Sequence, residues 1–140
     1  MINTPIRIVI VDDHQMVRET WRMLLQRDDR LQVIGECASA EEAIATAESV
    51  RPDIMLMDIN MYPMNGLEAT KEISRLNLGI NIIGVSINNQ PSYAKNMLLA
   101  GAKGYVTKNS SREEMIQAII QVHSGNTFIC KEIEEKMNKI

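Results

Sequence analysis

Five polar residues stand directly after short apolar runs. Asp12 and Asp13 follow Ile6–Val11, Asp58 follows Ile54–Met57, Ser86 follows Ile80–Val85, and Lys108, with Thr107, follows Gly104–Val106. Three carboxylates brought together repel one another and raise each other's pKa unless a cation joins them. An acidic, all-oxygen set with room for water suits Mg2+, which often shares its shell with phosphate. A carboxylate can also act as a nucleophile and form an aspartyl phosphate, and a Lys offers a phosphoryl group a point positive charge. Together these parts describe phosphoryl transfer to an Asp, with Mg2+ and Lys neutralising the charge.

Singly, each residue has a plainer reading. An Asp after a strand is a common turn residue or helix cap, Ser86 is a loop hydroxyl, and Lys108 a solvated charge. His14 reads as a first-turn helix residue rather than a metal ligand, Tyr105 as a half-buried strand aromatic, and His123 as a helix C-terminal residue favoured by the dipole. The joint placement at successive strand ends carries the chemical reading.

The elements that must position these residues are also legible. Ile6–Val11 is a near-continuous β-branched run, as in strands buried on both faces, and shorter runs lie at Val33–Gly35, Ile54–Met57, Ile80–Val85 and Gly104–Val106. Helical stripes separate them: Val17, Trp21, Leu24 and Leu25; then Ala40, Ala43, Ile44 and Ala47; then Leu67, Ile73 and Leu76; then Met97 and Leu98; then Met115, Ile116, Ile119 and Ile120. Ser39–Glu42 and Ser111–Glu114 match the capping box, and Asn65–Glu68 is a weaker relative. Pro91 suits a first helical turn, and Pro52 marks the end of the second helix before the third strand. A βα alternation repeated five times implies a parallel sheet with helices on both faces and right-handed crossovers. In such sheets ligands bind beyond the carboxyl ends of the strands, where the five polar residues gather.

Composition narrows the class. At 140 residues the chain fits one domain that needs no metal or disulfide staple. Hydrophobic residues are 45% and charged residues 24%, which excludes disorder, while 4% aromatics leave Ile, Val and ten Met to fill the core. A net charge of −3 argues against a domain that coats nucleic acid. Cys37 and Cys130 make neither a disulfide framework nor a zinc site and suit a reducing, cytoplasmic setting. No apolar run is long enough to span a membrane, and the N-terminus is not a signal peptide. The charge-rich end, Lys131 to Ile140, carries Ile133, Met137 and Ile140 at helical spacing and reads as a short helix leaving the domain.

The segments IVIVDDHQMVRE, MLMDINMYPMNGLEAT, VS and GAKGYVTK, in that order and spacing, resemble bacterial two-component response regulator receiver domains over about Ile6 to Ser124. VDDHQMVRE and QAIIQVHSGNTFI resemble receivers of the LuxR/NarL type, which precede a helix-turn-helix output domain. The resemblance implies a (βα)5 doubly wound, five-stranded parallel sheet of strand order 2-1-3-4-5. It implies a receiver over residues 1–124 and, over residues 125–140, the start of an interdomain linker. By position, Asp58 is the implied phosphoacceptor. Asp13, Asp58 and the Asn60 backbone carbonyl are implied to bind Mg2+, with Asp12 acting through metal-bound water. Lys108 pairs with the phosphoryl group, Ser86 hydrogen-bonds it, and Tyr105 turns inward as Ser86 moves. The implied donor is a sensor histidine kinase or phosphotransfer protein. The expected output is a conformational switch read on the face of the fourth helix, fifth strand and fifth helix. A phosphorylation-dependent homodimer is a further expectation, through that face or through the first and fifth helices.

Three departures from the family pattern stand out. The Pro after the acceptor is Pro63, preceded by Tyr62, which implies a differently shaped loop. Ile87 follows Ser86 where many receivers have a small residue, so its bulk is expected to slow phosphate exchange. Asn109 follows Lys108 where many receivers have a cis-Pro, and a non-proline cis bond costs about 3–4 kcal/mol. A helix-turn-helix domain would need roughly 60 further residues; the expectation is a fragment of a longer transcription regulator, with any DNA binding outside this chain, and a stand-alone receiver is the alternative. Other readings are a haloacid-dehalogenase-type phosphatase, whose D-x-D spacing Asp12-Asp13 does not match, and a flavin module, whose phosphate loop these carboxylates would repel. The last is a partner-binding pseudo-receiver that acts without phosphorylation, against which the full residue set argues. On the receiver reading the chain catalyses only its own phosphorylation and dephosphorylation.

Overall fold

The computed structural model describes residues 4–138. Strands and helices alternate as β1 (Ile6–Val11), α1 (Gln15–Leu25), β2 (Leu31–Cys37), α2 (Ala40–Val50), β3 (Ile54–Asp58), α3 (Gly66–Leu76), β4 (Asn81–Ser86), α4 (Pro91–Ala100), β5 (Gly104–Thr107), α5 (Arg112–His123), β6 (Phe128–Ile129) and α6 (Lys131–Met137). All adjacent strands pair in parallel, in the order β2-β1-β3-β4-β5-β6. Helices α2, α3 and α4 pack side by side, and α1 packs with α5. The β-branched runs become the central strands because both faces are covered: every residue of β3 and of β5 is buried. Between β1 and β3 the chain order reverses, since β2 lies on the outer side of β1. That crevice is the switch point at which open α/β sheets place their ligands.

Helix starts follow the sequence signals, with a redistribution. The Ser39 and Ser111 hydroxyls accept from the backbone N–H groups of Glu42 and Glu114. Neither Glu closes its own box. Glu42 accepts from the Ala38 N–H at 2.7 Å, and Glu114 from the Lys131 N–H at 2.9 Å. The complete reciprocal box is at Asn65 and Glu68, the weaker of the three matches in sequence.

The expected five-stranded parallel sheet of order 2-1-3-4-5 is present and is extended at one edge, and one expectation, that of a departing C-terminal helix, is corrected. The sheet has a sixth strand beyond the expected five. Phe128 and Ile129 pair with Gly104 and Tyr105, giving the short β5 a neighbour on what would be an open edge. The helix beginning at Lys131 does not leave the domain. It turns back against α4, with Cys130 and Ile133 fully buried. Seven residues are too few for a helix to be stable alone, so α6 exists because it packs. Burying Ile133 supplies about 1.5–3 kcal/mol toward that. Ile140, the last residue of the expected stripe, lies outside the described residues.

Candidate functional site

Four strand ends meet at the carboxyl edge of the sheet. Asp12 follows β1, and its N–H donates to the Cys37 carbonyl of β2 at 3.0 Å, which continues the ladder and turns its side chain inward. Asp12 and Asp58 are buried, whereas Asp13 is about one-third exposed. Lys108, at the end of β5, reaches between them. Its Nζ lies 3.0 Å from Asp12 Oδ2 and 3.5 Å from Asp58 Oδ1. The Asn60 N–H donates to Asp58 Oδ1 at 3.1 Å, while Asp58 Oδ2 is buried without a hydrogen-bond partner among the described residues.

The electrostatics follow from this packing. Burial and the neighbouring Asp12 hold the Asp58 carboxyl above its usual range, against the pull of Lys108. Burial also pulls the Lys108 ammonium down, but the Asp12 hydrogen bond and the Asp58 charge outweigh it and keep the group charged. Asp12, Asp13, His14 and Asp58 each present one possible ligand atom within 4.8 Å of the others. An orphaned buried oxygen inside a cluster of hard oxygen donors is what a divalent cation would satisfy.

Ser86 is buried at the end of β4. Its Oγ accepts from the Asn88 N–H at 3.0 Å, and its carbonyl accepts from the Lys108 N–H at 2.8 Å. Tyr105 is fully buried, its ring accommodated by the missing side chain of Gly84; an added Cβ there would lie 3.2 Å from the ring and 3.0 Å from Met97. Its hydroxyl donates to the Asn88 carbonyl at 2.8 Å, and burial pushes its pKa up to about 12. Ile87, by contrast, is 71% exposed. The Tyr62–Pro63 bond is cis and Tyr62 projects into solvent, while the Lys108–Asn109 bond is trans.

Sequence reasoning did not find a second set of residues around this pocket. The Asn88 side-chain amide donates to Asn60 Oδ1 at 3.3 Å. The Asn89 amide and the Thr107 hydroxyl each donate to Glu132 of α6 at 3.0 Å, and these two bonds hold the Glu132 carboxyl below the usual range. The loop after β3, the loop after β4, the end of β5 and the C-terminal helix are therefore one hydrogen-bonded layer. Nothing in the periodicity announces it, since the partners are 25 to 43 residues apart.

Glu132→Ala should loosen α6 selectively. We expect a loss of about 1–2 kcal/mol of local stability, the value of two hydrogen bonds to a partly exposed carboxylate. It would be read as faster amide exchange over residues 128–137 with β1–β4 unaffected; uniform exchange would contradict the coupling. Because the carboxyl is held low, this contribution is present above the ordinary carboxylate range and fades as pH falls through the lowered value.

Comparison with known proteins agrees with this architecture. The family model described as the response regulator receiver domain matches residues 8–120. Response regulator GacA of Pseudomonas viridiflava is 37% identical over 132 residues, covering 94% of this chain and 62% of that protein. Transcriptional regulatory protein DegU of Brevibacillus brevis is 33% identical over 134 residues, covering 96% of this chain and 57% of that protein. The crystal structure of a LuxR-family two-component response regulator from Aurantimonas sp. SI85-9A1 superposes with a TM-score of 0.93 at 33% identity, covering 97% of both chains. The chain thus spans about three-fifths of the length of the curated relatives it matches. With its sheet order, its acidic strand-end pocket and a family match over most of its length, the chain belongs to the response regulator receiver domains, of the LuxR/NarL type.

Proposed function

We propose that Asp58 accepts a phosphoryl group from the phosphohistidine of a sensor kinase or phosphotransfer protein. The observation that carries this is Asp58 itself: a buried carboxylate with one oxygen free of any partner, facing a Lys ammonium and two further carboxylates. A free Asp58 oxygen attacks phosphorus, the P–N bond to the donor imidazole breaks, and that nitrogen takes up a proton from solvent. Lys108 stays protonated and offers its charge to the oxygens of the transferred group. Asp13, Asp58 and the Asn60 carbonyl would hold Mg2+, with Asp12 acting through water. Mg2+ supplies charge neutralisation between carboxylates and phosphoryl group. Ser86 would hydrogen-bond the bound phosphoryl group by releasing the Asn88 N–H, and Tyr105 would follow the Asn88 carbonyl that it holds.

The reading is tested by incubating the protein with acetyl phosphate and recording its intact mass. One added phosphoryl group is expected with Mg2+, and none without Mg2+ or in Asp58→Asn; an unlabelled wild type would overturn it. Ile87 follows Ser86 in the chain and is largely exposed; on this reading its bulk would slow the approach of water to the acyl phosphate. Ile87→Ala should therefore shorten the phosphoryl lifetime by up to about tenfold, or about 1.4 kcal/mol of barrier. An unchanged decay rate would remove that role.

We also propose that the output is transcriptional, in line with the description of DegU as a transcriptional regulatory protein, through a DNA-binding portion outside these residues. A phosphorylation-dependent homodimer is part of the same proposal. Among the described residues no helix is long and apolar enough to cross a membrane. The partner-binding reading without phosphorylation is less favoured, because Asp12, Asp13, Asp58, Ser86 and Lys108 are all present.

A further inference from the structure

The imidazole of His14 occupies an unusual place for the residue that starts a helix. His14 is the N-cap of α1, yet its side chain makes no capping hydrogen bond. Its backbone N–H is tied to Asp12 Oδ1 at 2.8 Å, and its Nδ1 lies 3.0 Å from Asp12 Oδ1 and 3.0 Å from Asp13 Oδ1. The ring is two-thirds exposed, so nothing in the packing forces it against the carboxylates. The contact is made by chemistry: one ring nitrogen lies within hydrogen-bonding reach of two carboxylate oxygens, in the same cluster as Asp58.

A separation of about 3.0 Å is also the spacing of adjacent ligand atoms around an octahedral ion with bonds of about 2.1 Å. We infer that His14 is a ligand that raises the affinity of this pocket for divalent transition ions of the Fe2+ to Zn2+ series, through an Nδ1 contact that Mg2+ does not use. Carboxylate, carbonyl and water oxygens suffice for Mg2+, whereas imidazole suits nickel, zinc and iron. The ion would sit among His14 Nδ1, Asp12 Oδ1 and Asp13 Oδ1, with Nδ1 unprotonated toward it. The receiver would then hold two classes of cation in one pocket, the second class depending on a residue that plays no part in phosphoryl transfer. The inference rests on the metal reading of the carboxylate pocket given above.

The test is calorimetric titration of the untagged protein with NiCl2 and, separately, MgCl2, for the wild type, His14→Gln and Asp13→Asn. In the wild type, pulsed electron paramagnetic resonance of bound Cu2+ should also show coupling to an imidazole nitrogen. Loss of the ligand should weaken Ni2+ about tenfold or more, since even the outer-shell partners of metal ligands are worth ~10–100-fold. Mg2+ affinity should stay within a factor of about two, and the nitrogen coupling should vanish in His14→Gln. If Asp13→Asn abolishes both metals while His14→Gln alters neither, the His14 assignment is overturned and the carboxylate site stands. If the wild type binds neither metal, the metal reading itself falls, and this inference with it.

Discussion

Lys108→Ala is expected to slow Mg2+-dependent phosphorylation by acetyl phosphate by about 100- to 1000-fold, the usual cost of removing one preorganised donor from a developing anion. Lys108 is the only cation whose ion pairs, among the described residues, reach both Asp12 and Asp58. The same substitution leaves two buried carboxylates without it. Breaking a fully enclosed pair costs ~3–5 kcal/mol; here about 2–3 kcal/mol is expected, because the one-third-exposed Asp13 side of the pocket admits water and cations.

The pH dependence has a definite sign. Asp58 is already held above the ordinary carboxylate range by burial and Asp12, and loss of Lys108 raises it further. A carboxyl raised in the folded state favours folding below its unfolded value and loses that contribution as pH rises through the raised one. Thermal melts of Lys108→Ala without Mg2+ should therefore show a larger deficit in mildly alkaline than in mildly acidic buffer, and Mg2+ should narrow it. A deficit independent of pH and Mg2+ would mean that Lys108 acts only through its packing.

The second large effect is expected at Gly66, which carries no chemistry. It is the first residue of α3, and its N–H donates to the Ile59 carbonyl at 2.9 Å. A Cβ at this position would overlap the Asp58 carbonyl oxygen and come within 2.8 Å of Ile59 Cα. Those are backbone atoms at the end of β3, and they cannot yield without moving the Asp58 carboxylate. Gly66→Ala should cost about 3 kcal/mol or more, lower Tm by about 10 °C, and impair labelling of whatever folds. Gly35→Ala is the control. An added Cβ there meets only Val9 Cγ2 at 3.6 Å, and Ala in a strand interior is equal to Gly or better by about 0.5–1 kcal/mol. Equal effects at the two positions would contradict the close approach of α3 to β3.

How much of this could be read in advance depended on distance along the chain. The first five strands were legible because a strand covered on both faces needs a continuous apolar run, as at Ile6–Val11 and Ile54–Met57. The pocket was legible because parallel strands deliver their C-terminal residues to one edge, so the types at Asp12, Asp58, Ser86 and Lys108 could be read together. The Phe128–Ile129 strand was not legible, since two residues carry no period; it forms because β5 offers it an open edge. The return of α6 was hidden for a related reason. Ile133 and Met137 fit a departing helix as well as a docked one, and the difference lies in Glu114, Asn89 and Thr107, all distant in sequence. The Glu114 carboxylate, free to close its own capping box, accepts instead from Lys131. Spacing does not reveal which way an exposed imidazole turns, so the sequence presents His14 only as a first-turn helix residue.

The most direct test of the account asks which carboxylate carries the phosphoryl group. Borohydride reduces an aspartyl phosphate to homoserine, so protein labelled with acetyl phosphate and Mg2+, then reduced and digested, should yield homoserine at position 58 and nowhere else. Homoserine at position 12 or 13, or at none of the three in protein that binds Mg2+, would contradict it.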